Sequence, residues 1–143
     1  MANRSPDEVA LLTAMITKGS EPPQAAANRL GPDRSYALAG SALAIAASRR
    51  FPEGSTFGDI VAYSKSLPDR FPGGAELLKP TVVEAMIRTG RGEEGLLDGL
   101  DTGLVQQLLL MLPYVLMTEQ ELTEGEKEAF IDEAIRITDG ESD

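Results

Sequence analysis

The sequence predicts an all-α protein, a compact single-domain bundle of about seven to eight helices over residues 1–143. Three observations carry that expectation. Ser, Thr and Asp caps, prolines at first helical positions and glycines at helix ends recur along the chain. Apolar residues recur at spacings of three and four, and strand signals are poor. At 143 residues, with 42% hydrophobic and 25% charged side chains, the chain has the length and usage of one globular domain with its own core.

Each element follows from local chemistry. Ser5-Pro6-Asp7-Glu8 reads as a cap, a proline at the first helical position and a capping-box glutamate. Val9, Leu11, Leu12, Met15 and Ile16 follow at helical spacing, and Gly19 ends the helix. A short second helix is expected from Pro22 to Leu30, stopped by Gly31, and a third from Asp33 to Arg50, ending before Pro52. The body of the third, Ala37 to Ala47, is mostly small residues, which lets a neighbouring backbone approach closely. A fourth helix starts after Ser55 or Thr56, carries Phe57, Ile60, Val61 and Ser64, and is expected to end at Leu67 because Pro68 follows.

Pro68 to Gly74 is the best loop signal and lies at the midpoint. A fifth helix is expected from Ala75 to Arg88, with Pro80 inside or dividing it, and Gly90 and Gly92 at its end. Glu93 to Leu100 suits a short sixth helix. A Leu-rich seventh runs from Thr102 to Met117 with a bend at Pro113. An eighth opens at the capping box Thr123-Glu-Gly-Glu126. It places Phe130, Ile131, Ala134, Ile135 and Thr138 on one side, leaves Glu126, Glu128, Asp132, Glu133 and Arg136 largely outside, and closes at Gly140.

The two halves echo each other. Ala-Met-Ile-Thr-Lys-Gly at 14–19 meets Ala-Met-Ile-Arg-Thr-Gly at 85–90, an offset of 71, and Glu53-Gly54 meets Glu124-Gly125 at the same offset. These matches raise a tandem duplication of a four-helix unit, with halves 5–67 and 75–138 and a frayed acidic tail at 139–143. The two long helices are complementary, one Ala-rich and one Leu-rich, so they are expected to meet near the centre, large side chains filling space beside small ones. The layout of apolar helix, acidic loop and Phe-bearing helix over Thr118–Phe130, and again over Ser48–Asp59, resembles the TerB-type helical domains linked to tellurite resistance. The resemblance covers about a quarter of the chain. Where those domains carry an Asp-Gly pair after the apolar helix, this chain has Met-Thr-Glu-Gln and Arg-Arg-Phe-Pro, so the acids that the resemblance would associate with metal are missing.

Composition narrows the function. There is no Cys, hence no disulfide, thiol nucleophile or zinc finger, and no His, hence no triad and no imidazole base. A Ser–Lys pair exists only as Ser64-Lys65-Ser66, and adjacent helical positions do not face one another. Carboxylates for a metal are Glu93, Glu94, Asp98 and Asp101, but Asp101 also suits a helix cap and Glu93 and Glu94 a helix N-terminus. The Gly90-Arg-Gly92 and Gly95…Gly99…Gly103 clusters match no phosphate loop. No cofactor, no metal site and no catalytic residue is expected, and the chain is read as not an enzyme.

The formal charge is −10, of which −2 lies in residues 1–118 and −8 in 119–143. That balance opposes nucleic acid and anionic membranes. A helix-turn-helix over 81–100 would place an acidic second helix against phosphate. The longest apolar run, Leu104 to Met117, is shorter than a membrane span. With no secretory signal and no Cys, the cytoplasm is the expected compartment. Arg49-Arg50 and Arg88 with Arg91 suit helix C-termini, or else a small anion or phosphopeptide site.

The chain is therefore expected to be a non-catalytic, acidic interaction module. Its partner is another protein, in one version a basic target neutralised as an inhibitor, immunity-type protein or adaptor would, or a second copy in a homodimer. The candidate contact residues are Glu119, Glu121, Glu124, Glu126, Glu128 and Asp132. The alternative is a small-ligand or metal-binding domain with a pocket between helices near the Leu-rich core, using Tyr114 or Gln106 and Gln107 as polar groups.

Overall fold

Prolines and caps set where the helices of the computed structural model begin. The structure describes residues 5–17, 21–71, 76 and 78–140. Among them are seven helices and no strand: α1 (Pro6–Ala14), α2 (Pro23–Leu30), α3 (Pro32–Arg50), α4 (Phe57–Arg70), α5 (Pro80–Gly90), α6 (Thr102–Thr118) and α7 (Glu124–Thr138). Four of them open on proline, whose missing N–H lies where a helix has no intrahelical acceptor. The other three open on side-chain caps. Thr56 and Thr123 form full capping boxes with Asp59 and Glu126, and the Asp101 carboxylate accepts the Gly103 N–H at 3.1 Å. Asp101 thus acts as a cap, not as a metal ligand.

The packing centres on α3. It lies most extensively against α6, as the Ala-rich and Leu-rich compositions predict, and also against α1, α2, α5 and α7. Leu38, Ala39, Ala42, Ala46 and Ala47 of α3 are sealed, as are Leu108, Leu112 and Leu116 of α6. The α5 backbone comes close to α3 at Gly90. A Cβ on Gly90 would stand 3.1 Å from the Ala47 Cβ and 3.1 Å from the Leu43 carbonyl oxygen. The stripe of small residues admits that backbone.

Every buried hydroxyl is satisfied. Ser35 donates to the Ala27 carbonyl at 3.0 Å and Ser64 to the Ile60 carbonyl at 2.8 Å, while Ser41 and Thr138 hydroxyls meet at 2.8 Å. Arg34 ties the chain ends together, pairing with Glu8 of α1 at 3.0 Å and with Asp139 at 2.8 Å. The expected tail therefore begins anchored at Asp139, and residues 141–143 lie outside the described residues, as do Gly19, Pro72–Gly74 and Ala75. Phe51 is buried and Phe71 packs against the core, so both hold their loops to the bundle.

Three expectations about elements need correction. The sixth helix proposed for Glu93–Leu100 is a series of turns, because Gly92, Gly95 and Gly99 sit at φ of 109°, 81° and 82°, outside helical space. The helix α4 continues through Pro68 to Arg70. So close to a C-terminus the proline forfeits one hydrogen bond, and the Phe71 N–H closes the turn on the Leu67 carbonyl at 2.9 Å. The helix α5 begins at Pro80, not at Ala75: Leu78 and Lys79 are not helical, and proline is favoured at a first helical position.

The registers of the two halves agree at the start and part at the end. Leu11, Leu12, Met15 and Ile16 are buried, and so are Val82, Val83, Met86 and Ile87, each 71 residues on. Gly54, however, is a loop residue at φ 101°, whereas Gly125 lies inside α7. The capping boxes themselves stand 67 apart, and at that offset buried Tyr63, Ser64 and Leu67 match buried Phe130, Ile131 and Ala134. Where α2 stands in the first half, the second has only the Gly-rich turns before α6.

Candidate functional site

The six acids proposed for partner contact occupy different settings. Glu124, Glu128 and Asp132 stand four residues apart and exposed on α7, one ridge along its outer side. The Glu124 side chain is 92% exposed, with the Lys127 ammonium 3.6 Å away. Glu121 is exposed in the connection from α6 to α7. Glu126, also exposed, turns back toward the start of α7: its carboxylate accepts the Thr123 N–H at 3.0 Å and lies 3.3 Å from the Arg49 guanidinium. The backbone bond, then Arg49, holds its carboxyl below the usual glutamate range.

Beside Glu126 lies a groove of about 330 Å³ between α3, the end of α6 and α7. Its floor is Ile45, Met117, Ala129 and Phe130, and its rim is Arg49, Glu126 and Glu133. Arg49 is fixed across it, its Nε donating to the Gln120 amide oxygen at 3.1 Å. Glu133 pairs with Arg136 one turn on. The arrangement is an apolar furrow with the acid-bearing helix as one wall.

Glu119 leaves this group. Its side chain is only 20% exposed and turns toward α4, accepting the Tyr63 hydroxyl at 3.0 Å and pairing with Arg70. Arg50 stands at 4.0 Å from the same carboxylate, past hydrogen-bonding range. The Arg50 guanidinium lies 4.8 Å from the ring centres of both Phe51 and Tyr63, and these rings meet edge-to-face at 5.4 Å. Burial, with the Glu119 charge beside it, pushes the Tyr63 phenol above its ordinary range. A cleft of about 410 Å³ opens here, lined by Arg50, Phe51, Ser55, Asp59, Tyr63, Ser66 and Arg70 among others. The sequence reading picked out Arg50 but missed Tyr63 and Arg70. Their spacing of seven, two turns along α4, was the available signal, but it says nothing about which helix lies opposite.

A third concavity, about 300 Å³ and almost wholly apolar, lies where Pro22, Pro23 and Gln24 meet Gln107, Leu110, Met111 and Tyr114 of α6. Tyr114 and Gln107 are two of the polar groups expected at a ligand pocket, and Gln106 is not among its lining residues. The acids Glu93, Glu94, Asp98 and Asp101 do not converge: Glu93 forms a two-point pair with Arg88, and Asp101 caps α6. Among the described residues no group of three acids is placed to hold a metal ion. Ser64 is buried while Lys65 is exposed, so they share no site. Among the described residues no helix is long and apolar enough to cross a membrane.

Comparison with family profiles, curated proteins and solved structures gives no match to this chain, and the partial resemblance to TerB-type domains gains no support from it.

Proposed function

We propose that the protein is a non-catalytic interaction module that receives a basic, partly apolar segment of another protein in the groove between α3 and α7. The observation that carries this reading is the groove at α7: an apolar floor of Ile45, Met117, Ala129 and Phe130 with Glu126 and Glu133 at its rim, on a helix whose outer side carries Glu124, Glu128 and Asp132. Apolar contact supplies affinity, and the acid ridge steers a cationic partner and rejects anionic ones. The charge of residues 119–143, −8 of the total −10, concentrates that steering at one end of the chain.

The test is a photo-crosslinker at Ala129, which lines the groove. A partner captured there should carry a basic surface, bind less tightly as salt rises, and lose affinity when Glu133 at the groove rim is changed to Lys. Affinity that stays flat from low to high salt removes the acidic wall from the interface. Light scattering on the purified protein decides whether the partner is a second copy.

A second reading rests on the concavity at Pro22, Pro23, Met111 and Tyr114, which suits a small apolar ligand oriented by the Gln107 amide and the Tyr114 hydroxyl. Filling it with Met111→Trp should abolish binding of such a ligand while leaving capture at Ala129 intact.

A further inference from the structure

The cleft at the C-terminal ends of α3 and α4 is built from charge that its own contacts leave partly unused. Two guanidiniums, Arg50 and Arg70, stand about one carboxylate, Glu119. Arg70 hydrogen-bonds to it, whereas Arg50 forms only a long ion pair with it at 4.0 Å and, among the described residues, makes no hydrogen bond. The Arg50 guanidinium carbon lies 4.8 Å from the ring centres of both Phe51 and Tyr63, which pack edge-to-face against each other on one side of it. Arg70 lies 5.8 Å from the Tyr63 ring centre, so both cations border the same ring. An arginine resting on aromatic rings keeps its N–H donors at the guanidinium edge for other partners.

The rest of the lining fits an anionic group. Ser55 brings a hydroxyl, Ser66 one that is already donated to the Tyr63 carbonyl at 2.6 Å, and Tyr63 a phenol that stays protonated because burial opposes its ionisation. The one carboxylate in the lining, Asp59, is committed to the Thr56 N–H at 2.9 Å. It lies eleven residues before Arg70 on α4, about 16 Å along the helix axis. Glu119 itself shows what the site recognises: a carboxylate that accepts a phenol hydroxyl and a guanidinium together.

We propose that this cleft is a binding site for a compact oxyanion, a phosphate monoester or a carboxylate, gripped by Arg50 and Arg70 beside Tyr63, and that Glu119 is its internal competitor. The incoming anion takes the unused donors of Arg50 and shares or displaces Glu119 at Arg70. At about 410 Å³ the cleft has room for the oxyanion and for the group that carries it. This site lies on α4, apart from the groove between α3 and α7, and does not depend on the reading given for that groove.

Titration of the intact protein with inorganic phosphate and, separately, with acetate tests this, each at constant ionic strength balanced with chloride and followed by backbone amide spectra. Saturable shifts should centre on Arg50, Phe51, Tyr63, Ser66, Arg70 and Glu119. Preference between the two probes distinguishes a phosphoryl from a carboxylate ligand. Arg50→Gln should weaken binding about ten-fold, the loss of a charge-assisted hydrogen bond. Glu119→Gln should tighten it about five-fold, because a like charge about 4 Å away is removed while the amide still accepts from Tyr63. The same spectra report whether each variant is folded. If Glu119→Gln unfolds, Arg50→Lys takes its place, and it should weaken binding by less than Arg50→Gln does. Shifts absent with both anions, scattered over the whole surface, or unchanged in Arg50→Gln overturn the proposal, as does weaker binding in Glu119→Gln.

Discussion

The helices α3 and α6 lie against each other and solve opposite packing problems. The first is bordered by α1, α2, α5, α6 and α7, and its sealed positions are mostly alanine. The second is bordered by α2, α3 and α5, and its sealed positions are mostly leucine, with Val115 and Met117. A helix crowded on several sides needs a thin cylinder so that neighbours come near, whereas a helix crowded on fewer sides must fill volume with long side chains. Residue size along a helix therefore reports how many neighbours surround it, and α5, whose Gly90 sits against Leu43 and Ala47, shows how closely the thin cylinder is used.

If this contrast is right, the two helices should fail in opposite ways, α6 by deletion and α3 by addition. The largest loss is expected for Leu112→Ala, which empties a fully buried site: about 2–5 kcal/mol in denaturant unfolding. A loss below about 1 kcal/mol would mean that α6 does not fill the centre. Next come Ala42→Leu and Ala46→Leu on α3, each expected to cost about 1–3 kcal/mol by overpacking. Unchanged melting temperatures for both would show that α3 has slack and would break the comparison. Gly90→Ala probes the same crowding from the α5 side. Alanine is the better helix former, by nearly 1 kcal/mol, yet its methyl would press on a backbone oxygen of α3 at 3.1 Å, which has little freedom to yield. Net destabilisation is the expected sign, and a more stable Gly90→Ala would show that the two helices move apart at small cost.

Much of this was legible along the chain. Caps and prolines are local chemistry, so Ser5, Thr56, Asp101 and Thr123 marked real helix starts. The pairing of α3 with α6 followed from side-chain size alone. Errors fell where two local rules compete. Acid-rich Glu93–Leu100 has the composition of a helix start, but three glycines in left-handed or extended positive-φ space override it. Pro68 reads as a stop, but its cost is small in a last turn. The candidate sites were less legible, because they are made across helices distant in sequence. Nothing in Glu119 alone shows that Tyr63 and Arg70 await it, 56 and 49 residues away. The acid count of the C-terminal stretch could not show that Glu119 turns to α4 while Glu124 faces outward.

The smallest expected effects sharpen the contrast at the helix ends. At its C-terminus α3 carries Arg49 and Arg50, which complement the helix dipole, whereas α6 has no basic residue in its last turn. Arg49 uses its charge on the next capping box, that of α7, through Gln120 and Glu126. Thr123→Ala removes that cap and should cost about 1 kcal/mol, as should Thr56→Ala at α4. Glu126 adds a pH dependence of known sign. Its folded carboxyl titrates below the ordinary glutamate range, so its contribution is complete above the unfolded value and is lost as pH falls through the lowered folded one. Glu21 and Glu93, held down by Arg29 and Arg88, act in the same direction. Acid unfolding followed by circular dichroism should therefore begin at higher pH in Arg49→Gln, which removes a guanidinium from the Glu126 carboxylate, whereas Thr123→Ala keeps the backbone N–H which that carboxylate accepts. If Thr123→Ala moves the acid limb more than Arg49→Gln does, the α7 cap and not the end of α3 is what holds that carboxylate charged.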